Sequence, residues 1–170
     1  MQRLRVLVAD DFEEMRLLVT RVLSQHYAIV GSVADGEALV SVVSAANILR
    51  PCVIVSDIGM PFLTGPEAIR ELRARGLKIP VVLMSANMTD PDEHIEAGAI
   101  GLIDKVDIGH ELIRAVRSAS NGSIYLSRHV RASMRPDSRI AKNGSHFTHK
   151  SEPRIQAPAD LAWGLKGTAA

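Results

Sequence analysis

Cysteine occurs once in the 170 residues, at Cys52. A lone thiol excludes an internal disulfide, and its place at the head of a Val-Ile-Val run predicts a buried, inert side chain in a reducing compartment. Long hydrophobic runs are also missing: no stretch approaches the ~20 apolar residues that cross a bilayer. The opening Met1-Gln2-Arg3-Leu4-Arg5 leads into a short apolar run that ends at Asp10 and Asp11, so neither a signal peptide nor a membrane span is expected, and the protein is expected to be cytoplasmic. No internal repeat is present. Overall charge is nearly absent too, at +1, but the balance hides an asymmetry. Residues 1–127 carry 12 Lys/Arg against 16 Asp/Glu, whereas residues 128–170 carry 8 against 3. An acidic body precedes a basic tail. The tail has few large apolar residues, which predicts a solvated, largely disordered segment. Its His129, His146 and His149 have no acid or cysteine at ligand spacing, so they are expected to be solvated rather than metal-binding.

Hydrophobic residues make up 46% of the chain, enough for one core of ordinary size. They fall in five strand–helix units. Leu4–Ala9 reads as a strand, and Phe12, Met15, Val19 and Val22 recur at helical spacing after it. Ile29–Val33 leads through the turn dipeptide Asp35-Gly36 into a helix over Glu37–Asn47. Val53–Ser56 is followed by a loop to Gly65 and a helix over Pro66–Ala74, with proline in the first turn. Val81–Met84 precedes a helix that opens with acids at Asp90-Pro91-Asp92-Glu93. Ile100–Ile103 precedes a helix over Asp107–Ser120. Strict alternation makes every crossover helical, so the strands are parallel and the sheet is open and covered on both faces. Within the tail, only 155–165 is apolar enough for a short helix.

Ligands of such sheets bind beyond the carboxyl ends of the strands. Asp10 and Asp11 follow the first strand, Asp57 the third, Ser85 the fourth, and Lys105 lies two residues beyond the fifth. Each alone could be a cap, a turn residue or a solvated charge; together they bring three acids, a hydroxyl and an amine to one edge. Three crowded carboxylates raise one another's pKa unless a cation is present. Mg²⁺ suits them, because it takes one or two carboxylates with carbonyls, waters and phosphate oxygens. Asp57 can then act as a nucleophile toward a phosphoryl group. Lys105 and the metal neutralise the phosphoryl oxygens, and Ser85 donates a hydrogen bond to one of them.

Four blocks in order carry a resemblance: Val8-Ala9-Asp10-Asp11; Asp57-Ile58-Gly59-Met60-Pro61 with Gly65; Met84-Ser85-Ala86; and Gly98-Ala99-Ile100-Gly101 leading to Lys105. Over residues 3–127 the sequence strongly resembles the response-regulator receiver domain of two-component systems. The resemblance implies a flavodoxin-like, doubly wound sheet of five parallel strands in the order 2-1-3-4-5. It also implies phosphorylation of Asp57 by a sensor histidine kinase or phosphotransfer protein. Mg²⁺ is then held by Asp10 or Asp11, Asp57 and the backbone carbonyl of Gly59, while Ser85 turns toward the new phosphoryl group. Glu111–Leu126 looks like the branch whose receivers precede a LuxR-type helix-turn-helix.

The sequence departs from the family pattern at three points. Leu102 stands where an aromatic residue is usual. Val106 follows the lysine in place of the frequent cis-proline, and since a cis bond without proline costs about 3 kcal/mol, a trans bond is expected. Only 43 residues follow Ser127, and Glu152-Pro153-Arg154 with Leu161–Leu165 only faintly resembles the start of a helix-turn-helix. Without a recognition helix there is no direct base readout, so specific DNA binding is not expected. The expected function is a phosphoacceptor switch, not an enzyme in the usual sense, that acts by phosphorylation-dependent binding to an unnamed protein target, with a homodimer as one form. The alternatives are a DNA-binding regulator with a truncated output domain and a receiver-like module that takes no phosphate. An aspartyl phosphohydrolase expects a second acid two residues after the nucleophile, where Gly59 stands.

Overall fold

A computed structural model describes residues 3–45, 51–135, 138 and 140. The suggested helix at 155–165, with His146 and His149, lies outside them. The elements alternate as the sequence predicts: β1 (Arg5–Ala9), α1 (Glu13–Ser24), β2 (Ala28–Val33), α2 (Gly36–Ser44), β3 (Val53–Asp57), α3 (Gly65–Ala74), β4 (Val81–Ser85), α4 (Pro91–Ala97) and β5 (Gly101–Asp104). A 3-10 turn, Lys105–Asp107, then precedes α5 (His110–Ser120), β6 (Tyr125–Leu126) and α6 (Arg128–Ser133). The strands form one parallel sheet in the order β2-β1-β3-β4-β5-β6.

Alternate side chains on each strand supply two cores. Leu7, Ala9, Ile54, Leu83 and Leu102 face α2, α3 and α4, where they meet Leu39, Ile69 and Leu72. Val6, Val8, Val53, Val55, Met84 and Ile103 face α1 and α5, where they meet Val19, Leu23, Leu112 and Val116. Burial on both sides explains why the strands read as unbroken apolar runs. Local signals set the ends of the helices. Asp35 caps α2 by accepting the Ala38 amide at 2.6 Å, and Thr64 with Glu67 closes a capping box on α3. The Asp35-Gly36 pair is therefore a helix start rather than a simple turn.

The structure corrects the reading in several places. The sheet has a sixth strand, because Tyr125 and Ser127 donate their amides to Ile100 and Leu102 at 3.0 and 2.9 Å along the β5 edge. Two residues are too few to show a strand period. The tail does not become disordered at residue 128: Arg128–Ser133 is helical, and Val130 is fully buried among Leu102, Met88 and Ala99. One apolar side chain per turn and a half gives too weak a pattern to read in a basic stretch. The fifth helix begins at His110 rather than Asp107, since the chain winds a 3-10 turn and then passes Gly109 at φ 110°. Cys52 is half-buried rather than buried. Among the described residues there is no cis peptide bond, which includes the Lys105–Val106 bond.

Candidate active site

Strand order reverses between β1 and β3, and the carboxyl ends of these neighbours carry Asp10 and Asp57. Asp10 is fully buried and Asp57 is 7% exposed. Lys105, at the start of the 3-10 turn after β5, reaches across to both. Its Nζ lies 2.9 Å from Asp10 Oδ2 and 2.7 Å from Asp57 Oδ1. The second oxygen of each acid is held by the backbone. The Phe12 amide donates to Asp10 Oδ1 at 3.0 Å, and the Gly59 amide donates to Asp57 Oδ2 at 2.9 Å. Arg16 donates to the main-chain carbonyl of Asp10 at 2.8 Å. Asp10 thus folds into a turn of its own, and the chain enters α1 through Phe12 without a side-chain cap.

The electrostatics follow from burial. Desolvation raises the Asp10 pKa above its ordinary value, outweighing the hydrogen bond and charge of Lys105, and the Asp57 charge adds to the rise. Desolvation pulls the Lys105 pKa down, but bonds and charges from Asp57 and Asp10 overcome it and leave the ammonium above its ordinary value. The site is a two-acid, one-lysine bridge.

Two sequence expectations need adjustment. The three aspartates do not crowd together: Asp11 is exposed, and no cluster of three His, Cys, Asp or Glu side chains suited to a metal forms among the described residues. The lysine takes the place between Asp10 and Asp57, so only two acids converge. The Ser85 hydroxyl bonds within its own loop. It donates to the Asn87 carbonyl at 3.0 Å and accepts the Asn87 amide at 3.1 Å, closing the turn after β4. The donor set nevertheless fits Mg²⁺, since two hard carboxylates sit at neighbouring strand ends beside the Gly59 loop.

Three large apolar residues of this edge are exposed: Phe12, which helical spacing places on the inward stripe of α1, stands outside at its N-cap, and Phe62 escaped the sequence reading altogether. Phe12, Phe62 and Val106 rim the site with 59%, 76% and 70% of their surface exposed, and Phe62 adopts φ 64°. A large apolar residue in the left-handed region of a loop has no sequence signal of its own. His129, expected to be solvated, lies with Nδ1 2.6 Å from Asp107 Oδ1.

A doubly wound parallel sheet with two acids and a bridging lysine at its switch point defines a receiver-type regulatory domain. The family model for the response regulator receiver domain matches residues 6–117, and the chain belongs to that family. Response regulator GacA of Pseudomonas protegens is 32% identical over 157 residues, covering 90% of this chain and 72% of GacA. Response regulator UvrY of Escherichia coli O157:H7 is 26% identical over 168 residues, covering 96% of this chain and 76% of UvrY. Among solved structures, the signal receiver domain of NarL from Mycobacterium tuberculosis superposes with a TM-score of 0.66 at 28% identity, covering 72% of this chain and 99% of that one. The likeness to GacA and NarL places the chain in the LuxR-type branch of the family.

Proposed function

We propose that the chain is a phosphoacceptor switch in which Asp57 takes a phosphoryl group from the phosphohistidine of a sensor kinase or phosphotransfer protein. The observation that carries this reading is the Lys105 bridge between Asp57 and Asp10, which puts a fixed ammonium beside the attacking oxygen. A carboxylate oxygen of Asp57 attacks phosphorus, the P–N bond of the donor breaks, and its electron pair stays on the imidazole. The Lys105 ammonium meets the phosphoryl oxygens and stabilises their charge through the transfer. Mg²⁺ held by Asp10 and Asp57, with Asp11 and the Gly59 carbonyl within the same two loops, supplies a further neutralising charge when bound. The Ser85 hydroxyl leaves its Asn87 turn to hydrogen-bond the new phosphoryl group, and that rearrangement biases the turn before α4 between two states. The acyl phosphate is then lost to water.

Such a chain consumes one phosphoryl group per switching event and works by binding, not as an enzyme. Its partners are the donor protein upstream and a protein target downstream, with a second copy of itself as a further partner. A cytoplasmic site fits the family's donors, and no helix among the described residues is long and apolar enough to cross a membrane. A second reading gives the basic tail a contribution to DNA binding. It is favoured by the match to GacA, which is longer than the receiver domain and runs past Ser127. Retention on DNA through the tail alone is expected to be independent of sequence and to vanish with salt.

Intact-protein mass after incubation with acetyl phosphate tests the main reading. The wild type is expected to gain one phosphoryl group with Mg²⁺ and far less without it, and Asp57→Asn to gain none. No gain in the wild type under any condition overturns the phosphoacceptor role and leaves a receiver-shaped binding module.

A further inference from the structure

Asp107 lies two residues beyond Lys105 in the same 3-10 turn and is buried, yet the chemistry above does not use it. Its carboxylate is engaged by the segment beyond β6. Oδ2 accepts the His129 backbone amide at 2.9 Å, and Oδ1 lies 2.6 Å from His129 Nδ1. That His129 amide belongs to the first turn of α6, where Ser127, at the cap position, makes no side-chain cap. Asp107 therefore caps α6 from another element, placing a carboxylate at the helix end that favours negative charge.

Neighbours of α6 reach other elements around the site. The Ser127 hydroxyl accepts the Asp104 amide at 3.1 Å, immediately before Lys105. Val130 packs in one cluster with Leu102 and Met88, and Met88 directly follows the Ser85–Asn87 turn. Farther on, the Ser138 hydroxyl donates to Asp92 Oδ1, in the first turn of α4, at 2.9 Å. One three-residue turn thus carries the lysine at its first position and the anchor of α6 at its last. An exchange of the ammonium's carboxylate partners for phosphoryl oxygens on Asp57 would act on the same turn that anchors α6.

We propose that Asp107 is a positioning residue for Lys105 and that its clamp on His129 couples phosphorylation of Asp57 to the docking of α6, making the segment after Ser127 part of the switch. The proposal rests on the phosphoacceptor reading. Thermodynamic linkage makes the coupling reciprocal: what phosphorylation does to α6, loosening α6 must do to the phosphorylated state.

The test uses the full chain with acetyl phosphate and Mg²⁺, reading phosphoryl gain and loss by intact mass and amide exchange over Arg128–Ser133. The His129 side chain is 50% exposed, so His129→Ala keeps the fold, and His129→Asn retains a donor near the position of Nδ1. In the wild type, exchange in α6 is expected to change about fivefold on phosphorylation. His129→Ala is expected to alter phosphoryl gain or loss by a similar factor, and His129→Asn to return it toward the wild type, which a merely structural role does not predict. A phosphorylated wild type with unchanged α6 exchange, or His129→Ala with wild-type rates, overturns the proposal. A wild type that gains no phosphoryl group overturns the phosphoacceptor reading instead. The clamp is then judged by the Lys105 ammonium resonance, which moves in His129→Ala if Asp107 positions the lysine and stays in place if it does not.

Discussion

Lys105 stands at an unusual balance, because the group that bridges Asp10 and Asp57 is also, in the proposed switch, the group that the phosphoryl oxygens recruit. Removing it leaves two facing carboxylates, one fully buried. Lys105→Ala is therefore expected to lose up to roughly 3 kcal/mol at pH 7 in urea unfolding without divalent cation, and to regain part of it with Mg²⁺. Asp10 behaves in the opposite sense. Its folded pKa is raised, so the native state binds the proton more tightly than the unfolded chain, and ionisation at neutral pH works against folding. Asp10→Asn should accordingly be at least as stable as the wild type at pH 7, while weakening the response of stability to Mg²⁺. Asp107 is the conventional case. Burial works to raise its pKa, but bonds from Ser127 and His129 and the charge of His129 lower it from 3.8 to about 2. Its contribution is fully present above pH 3.8 and is lost as pH falls toward 2. Asp107→Asn should thus be destabilised at pH 7, with the gap to the wild type closing across that acid window in a pH series of thermal melts.

At the scale of elements, the five alternating units were legible because each strand is buried on both sides and each helix carries a 3.6-residue stripe. The carboxyl edge was legible for the same reason, since topology alone sends Asp10, Asp57, Ser85 and Lys105 there. What the sequence hid were contacts made by single residues. The sixth strand rests on backbone bonds from Tyr125 and Ser127, and α6 rests on Val130 and on Asp107, neither of which forms a period. The rotamers of Asp11 and Ser85 were equally hidden, because spacing fixes where a Cα lies and not which neighbour a short polar side chain chooses. Close approaches were hidden too. A Cβ on Gly36 would stand 2.0 Å from the Leu63 carbonyl oxygen, so this helix start is glycine because the loop after β3 lies directly over it. Gly36→Ala is expected to destabilise by about 1–3 kcal/mol through displaced backbone, measured as a lower denaturation midpoint with an unchanged m-value. Val130→Ala should cost about 2 kcal/mol by the same measurement, whereas a disordered tail predicts no effect.

For the whole molecule, the doubly wound sheet holds two acids and a lysine at the carboxyl ends of its strands, and the chain after the sheet folds back onto the turn that carries the lysine. In the proposed switch the acidic body carries the phosphoacceptor, and α6 ties the segment after Ser127 to it. The central claim is that Asp57 carries the phosphoryl group as an acyl phosphate, and its most direct test is to locate that group. The chain is treated with acetyl phosphate and Mg²⁺, digested, and mapped by mass with and without hydroxylamine, which cleaves acyl phosphates and spares phosphoserine. The account predicts one phosphorylated peptide, containing Asp57, that loses its phosphoryl group to hydroxylamine. A phosphoryl group on Ser85 or any other residue, or one that survives hydroxylamine, would contradict it.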